Sequence, residues 1–535
     1  MTKKVLMFSS LVLLISSFLL INRLQAKNFT VFNDVNPQQI EEVKESLIHV
    51  EELEFTALLC NEIRVPFDNL TNTFLVPLDM EDSHWEKIEF VSGQPEYQVL
   101  FLEDITENDK QESIAGGRRF ELLVYDAHSW ASYGLVFTGL PIIDLATNEG
   151  FYAADEITGS AVFYDTDFLS AGTQNSAYRG HIRGNTSRLF PKKGYKLNLI
   201  TENESGDMVA NKLSLFDLRK DNDWMLYAIY NDDTKIRDLL SMKVWNMLGA
   251  TAVSEKGYYG PKMTYVEVFA DNQYCGLYGL MEPVDAKQLD LTEEDYSYKR
   301  KNPGGIRYQY FDFLECEDPT AEIEGFELKE GKINERSWAP MADLSAFLTL
   351  SEEEIVEREQ DIINEDSLLR TWLFLQLITG HDHTAKNMFY VAKYDASLKY
   401  DYQFYFAPWD LDLTWGNVSV GEENPLFTEY NPDTADDRIY WETADWMIDS
   451  DYHHARDRVL EMYRQLRTEK LTDQALEDLI QELDGQLRGS GAFARDEARW
   501  PEGAHAKDCN TLVKYAKERL QCLDRAIENF EYFDQ

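Results

Sequence analysis

Residues 379–416 read TGHDHTAKNMFYVAKYDASLKYDYQFYFAPWDLDLTWG. Two runs inside this stretch, 387–392 and 402–406, are rich in aromatic and β-branched side chains, and a turn-like segment, 393–399, separates them. That pattern predicts two strands joined as a hairpin. Polar side chains bracket the pair. Asp382 and Asn387 come just before the first strand, Asp410 and Asp412 just after the second. Mg²⁺ prefers hard oxygen ligands, few of them from protein and the rest from phosphates and water. An Asn carbonyl with one or two Asp carboxylates meets that need, so the layout suits a divalent metal and a phosphate-bearing substrate.

The five-residue step from Asp382 to Asn387 is that of a protein-kinase catalytic loop, where the Asp takes the substrate proton and the Asn holds a metal. Asp410 then takes the part of the metal-binding Asp of the following loop. The usual glycine is missing there, since the sequence is Trp409-Asp410-Leu411-Asp412. Such a step arises by chance in long acidic chains; the aromatic hairpin and the second acid pair give it weight. Three upstream segments extend the pattern: 183–197 (RGNTSRLFPKKGYKL), 224–237 and 266–282. In order and character these four segments resemble the spore coat protein H (CotH) family of secreted atypical protein kinases, over roughly residues 140–416.

The resemblance implies an α+β, two-lobed, atypical protein-kinase-like fold that uses ATP with Mg²⁺ or Mn²⁺. The γ-phosphoryl group would pass to Ser or Thr hydroxyls of a surface or coat protein. Asp382 is then the catalytic base, and Asn387 and Asp410 are metal ligands. Asp412 is either a second ligand, the rival of Asp410, or a buried brace. The turn Arg183-Gly184-Asn185 takes the place of a glycine-rich loop, and a nearby lysine contacts ATP. Lys193 is the first choice and Lys196 the second; their odd spacing puts them on opposite faces of any strand they share. Arg237 contacts phosphate or pairs with an acid in the core. Glu282, at the link between lobes, holds the ribose or caps the next helix. No helix glutamate that would position the lysine stands out.

Composition narrows the alternatives. The chain has 535 residues, 44% apolar and 13% aromatic, which is a folded protein with room for several domains. Its formal net charge is −45, from 96 acidic and 51 basic side chains. Nucleic acid is therefore excluded as a general partner. Against that background Arg179, His181, Arg183, Arg188, Lys192, Lys193 and Lys196 form the clearest basic cluster. No Walker GxxxxGK[ST] motif is present. The five cysteines (60, 275, 316, 509 and 522) contain no CxxC pair, which argues against structural zinc. Cys509 and Cys522 could bond only if the first lies in the loop ahead of its helix. His381 and His383 lack a third ligand nearby.

Lys3 and Lys4 precede an apolar run, 5–21, followed by Arg23-Leu24-Gln25-Ala26. This reads as an export signal or an N-terminal membrane tether. The body is expected outside the cytoplasmic membrane, secreted or held at the cell surface, with the spore coat as one destination. The predicted organisation is a signal or anchor (1–26), an all-β accessory domain (27–139), a kinase-like N-terminal lobe (140–283), a C-terminal lobe (284–425) and a helical extension packed on that lobe (426–535). Three function classes follow: a secreted phosphotransferase, a non-catalytic coat-assembly protein that keeps the fold, and a hydrolase of phosphate esters or glycans.

Overall fold

The computed structural model of the chain describes residues 35–79, 88–103, 110–152, 155–184, 186–248, 260–301, 313, 318, 320, 322–357, 360–419 and 428–530. The apolar run 5–21, Asn185 and Cys316 lie outside the described residues. The architecture is mixed α+β, with a β-rich N-terminal region and a helical C-terminus. Among the described residues no helix is long and apolar enough to cross a membrane.

The N-terminal region opens with the helix Pro37–Ser46. Asn36 caps it by accepting a hydrogen bond from Gln39 N, and Pro37 fills the first turn, where a missing N–H costs nothing. A six-stranded and a three-stranded sheet follow. They enclose an aromatic core that includes Phe55, Phe74, Phe120, Tyr133 and Phe137.

The next region is a closed barrel. Its strands are β1 (Ile142–Thr147), β2 (Glu156–Tyr164), β3 (Gln174–Arg183), β4 (Gly194–Glu202), β5 (Asp223–Tyr227), β6 (Met263–Ala270) and β7 (Gln273–Met281). They pair in the ring β1-β6-β7-β5-β4-β3-β2, and β2 returns to β1. Only β1 and β6 run parallel. Alternation sorts the side chains, because neighbours along a strand point to opposite faces. Tyr195, Leu197, Leu199, Trp224, Leu226, Val266 and Val268 fill the interior. The outer surface has two apolar patches. Ile142, Tyr164 and Phe269 join the core of the N-terminal region. Met225, Met263, Leu277 and Met281 join the core of the C-terminal region.

That C-terminal region is built on a four-stranded sheet in the order β9-β8-β10-β11: β8 (Tyr296–Arg300), β9 (Phe326–Glu330), β10 (Met388–Tyr394) and β11 (Tyr402–Pro408). The helix Glu365–Ile378, capped by Asn364, is buried on almost every side and ends at Thr379 in a left-handed conformation (φ 53°).

The terminal helices do more than extend this region. The helix Ala492–Arg499 packs against barrel strand β7. Arg495 makes two 2.7 Å hydrogen bonds to Glu267, and Trp500 Nε1 donates to Cys275 O at 2.8 Å. Gly276, at φ 110°, makes this approach feasible: a Cβ there would lie 2.5 Å from Asp496 Oδ1. The 426–535 segment thus holds the barrel as well as the region it was expected to extend. Cys509 does precede the helix Asn510–Asn529, yet both it and Cys522 are free thiols.

Candidate active site

The hairpin predicted from 379–416 is β10 and β11, closed at one end by the pair Met388 and Pro408. All four bracketing polar residues belong to the segments that leave this end. The chain arrives from Thr379, whose hydroxyl accepts a hydrogen bond from Tyr515, and makes the short turn His381–Thr384. Arg300, buried behind it, donates to Thr384 O, while Arg300 O accepts from Asn387 N at 3.1 Å. Asp382 Oδ2 accepts from Asn387 Nδ2 at 2.6 Å, and Lys386 Nζ lies 3.1 Å from its Oδ1. Trp409 N donates to Asn387 O at 2.9 Å, which ties the two segments together. Asn387 and Asp410 both hold left-handed φ values, 57° and 63°. Asn adopts that region readily; for Asp410 it is a cost the surrounding contacts must offset.

The loop after Asp410 is pinned from the barrel side by the helix Arg237–Met247. Asp238 Oδ1 accepts from Leu411 N at 2.9 Å, and Ser241 Oγ accepts from Trp415 Nε1 at 2.9 Å. Asn417 Nδ2 donates to Asp412 O. Asp238 is buried, with the Tyr227 hydroxyl beside it, and burial followed by the neighbouring Asp410 raises its carboxyl far above the usual range. Asp412 keeps part of its surface open to solvent. Burial, then Asp410 and Asp238, and then Asp382 push its carboxyl well up as well. Four carboxylates therefore meet at one hairpin end, and for Asp238 and Asp412 that company adds to the cost of ionisation. Among the described residues no three His, Cys, Asp or Glu side chains form a ready cage for a metal. The donors are hard oxygens nonetheless, and crowded carboxylates suit a divalent cation that draws other ligands from phosphate and water.

The basic cluster of 179–196 does not stay together. Lys192 is buried, with Nζ 2.6 Å from Asp496 Oδ1. Arg188 lies 3.1 Å from Asp155, and Lys193 Nζ donates to Arg188 O. Lys193, in the turn ahead of β4, is thus drawn back onto its own loop. Lys196 pairs in register with His181 and Met225, on the outward face turned toward the C-terminal region. Arg183 shares that face, and its guanidinium stands 5.8 Å from the Tyr227 ring and 5.3 Å from the Trp409 ring. Gly184 follows at φ 98°. Arg237 is buried and bound to Asp232, Asp233 and Thr234, so of its two readings the core pairing is the one seen. Glu282 is buried too; its Oε1 accepts from Arg219 N at 3.0 Å rather than capping a helix. His383 Nε2 lies 3.0 Å from Trp409 O, and His381 reaches Asp437, so the two imidazoles serve separate partners.

Sequence reasoning missed two residues here. Asp238 stands in the first turn of its helix, where an aspartate rather than the expected glutamate was the available signal. Lys299 lies on β8, opposite Phe389 of β10. Burial lowers its pKa to about 8, and Asp410 is the acid that most favours its charge.

A turn carrying Asp382, an aromatic hairpin and an acid-rich loop follow one another at this hairpin end, and the family match makes the protein kinase-like. The family described as CotH kinase protein matches residues 181–523, well over half of the chain, and the chain belongs to that family. No curated protein matches it.

Proposed function

We propose that this protein is an extracytoplasmic, ATP-dependent protein kinase that phosphorylates Ser or Thr hydroxyls with Mg²⁺ or Mn²⁺. The observation that carries this reading is the convergence of Asp382, Asn387, Asp410 and Asp412 on one hairpin end, with cations on the facing barrel rim. Asn387, Asp410 and Asp412 would hold the divalent ion, which neutralises phosphate charge when bound. Asp382 accepts the proton of the incoming hydroxyl as that oxygen bonds to the γ-phosphorus and the bond to the β-phosphate oxygen breaks, releasing ADP. Its hydrogen bond from Asn387 and the nearby Lys386 ammonium orient it for that task.

Lys196 is the better candidate for the nucleotide lysine than Lys193, because it projects on the face turned toward the acid cluster. Arg183 and Gly184 line the same rim; Asn185 keeps its role from family resemblance alone. Arg237 and Glu282 act as braces rather than nucleotide contacts, since both are already bound internally. The apolar run 5–21 directs the body across the membrane or tethers it there, and the family name points to a coat or surface protein as substrate.

The test is a phosphoryl-transfer assay of the purified protein with ATP and Mn²⁺, read by mass spectrometry of its own chain and of surface-protein extracts. Incorporation at Ser or Thr is expected. In Asp382→Asn it should fall about 10²-fold or more while metal–nucleotide binding persists. Full activity in that variant overturns the assignment of the base.

A further inference from the structure

Lys299 and Arg183 come from different regions of the fold, β8 and the end of β3, and meet over one indole. Lys299 Nζ stands 5.7 Å from the Trp409 ring and 6.0 Å from the Phe389 ring; Arg183 stands 5.3 Å from the Trp409 ring. Neither cation has a carboxylate within ion-pair distance among the described residues, although acidic side chains outnumber basic ones almost two to one in this chain. Lys299 and Arg183 are half-buried, whereas fully buried cations are satisfied either by backbone carbonyls, as Arg519 is by those of Gln376, Ala435 and Asp437, or by a carboxylate. Lys192 holds Asp496, Arg237 holds Asp232, and Arg495 holds Glu267. The Trp409 indole is buried, and its N–H has no acceptor among the described residues. Two cations held near each other repel, and a desolvated ammonium loses hydration that an aromatic face replaces only in part. Folding alone gives no reason for the arrangement; an anion between the two would.

We infer that Lys299 and Arg183, set over Trp409, form a clamp for the terminal phosphates of a polyphosphate ligand, which makes Lys299 a substrate-contacting residue of the kinase site. The inference rests on the kinase reading, and it adds to that reading a cation outside the basic turn. The clamp neighbours Asp410, so a metal held there and the two side chains would share one phosphate chain from different sides. Arginine can hold two oxygens at once and lysine acts as a point charge, a division common where phosphate must be both oriented and neutralised.

Calorimetry of the purified full chain with Mn²⁺ tests this, with ATP and inorganic tripolyphosphate as separate probes and the variants Lys299→Met and Lys299→Arg. Wild type should bind both probes. K299M should bind both at least ten-fold more weakly, and K299R should keep most of the affinity. K299M should also unfold at no lower temperature than wild type, because it removes the repulsion between the two neighbouring cations. Unchanged ATP affinity in K299M overturns the clamp and leaves the kinase reading standing. Weakening confined to ATP assigns Lys299 to the nucleoside and also overturns it. Equal losses in K299M and K299R with a lowered unfolding temperature assign a structural role instead. Triphosphate binding that needs Lys299, in a protein that transfers no phosphoryl group, keeps the clamp and removes the kinase reading. Binding of neither probe by wild type removes both.

Discussion

Two of the interior charge clusters among the described residues are treated in opposite ways. Where the helix Ala492–Arg499 meets the barrel, Lys192 and Lys235 flank Asp496, with His505 at 3.5 Å. Burial, against the pull of Asp496, lowers Lys192 to about 8; for Asp496 the two lysines and His505 outweigh burial and pull its pKa well below the carboxylate range. At the hairpin end Asp238, Asp382, Asp410 and Asp412 crowd together, and the shifts of Asp238 and Asp412 go up. The first cluster closes on itself and joins two regions of the fold. The second is left short of positive charge, which is the state expected of a site that completes itself with a ligand. Burial alone does not separate structure from function here; the sign of the residual charge does.

Breaking the closed cluster should have the largest effect. Asp496→Asn leaves Lys192 and Lys235 buried without their counter-charge, a type of loss that costs about 3–5 kcal/mol. Denaturant unfolding should show it, and barrel and C-terminal helices should loosen together. The pH dependence follows from the direction of the shift. A carboxyl held below its ordinary 3.8 in the folded protein contributes stability that is present above that value and is lost as pH falls further. Wild type should therefore lose stability below about pH 3.8 more steeply than D496N. A variant as stable as wild type at pH 7 would mean that the pairing is not what holds this helix.

Within the open cluster, two substitutions should differ in kind. Asp410→Asn removes charge from the proposed metal shell, so Mn²⁺-dependent ATP affinity should fall about ten-fold or more, and transfer with it. Asp382→Asn should leave that affinity nearly intact. Calorimetry with and without Mn²⁺ separates the two. Unchanged metal dependence in both D410N and the matching Asp412→Asn protein would remove the metal assignment.

The hairpin was legible because its signal is local: two aromatic runs, a turn, and polar residues at the ends. The odd spacing of Lys193 and Lys196 implied opposite faces only on a shared strand, so which of them belongs to the strand was left open. That choice depends on β4 starting at Gly194, which leaves Lys193 in a turn. The basic cluster misled because Lys192 is neutralised by a residue 304 positions away. Contacts of that range leave no trace in spacing. The same holds for Lys299, whose surroundings exist only once β8 pairs with β10. The barrel could not be read at all, since closure is a property of the β3–β4 and β1–β2 pairings together and not of any one segment.

The smallest effect should come from Asp238, and it sharpens the comparison most. Its Oδ1 accepts the Leu411 N–H, and an asparagine oxygen at the same place can do so too. Asp238→Asn therefore keeps the hydrogen bond and removes one of the crowded charges. A carboxyl whose pKa is raised in the folded protein gives stability that is present at low pH and lost as pH rises through the folded value. Without metal, D238N should match wild type below about pH 3.8 and become the more stable protein as pH rises toward 8. Adding Mn²⁺ should erase or reverse that difference, because the ion neutralises the crowd in wild type and finds less charge in the variant. Thermal unfolding at two pH values, with and without Mn²⁺, gives all four comparisons. A D238N protein that is less stable than wild type in alkali without metal would show the carboxylate to be a structural anchor, and the two clusters would then be alike.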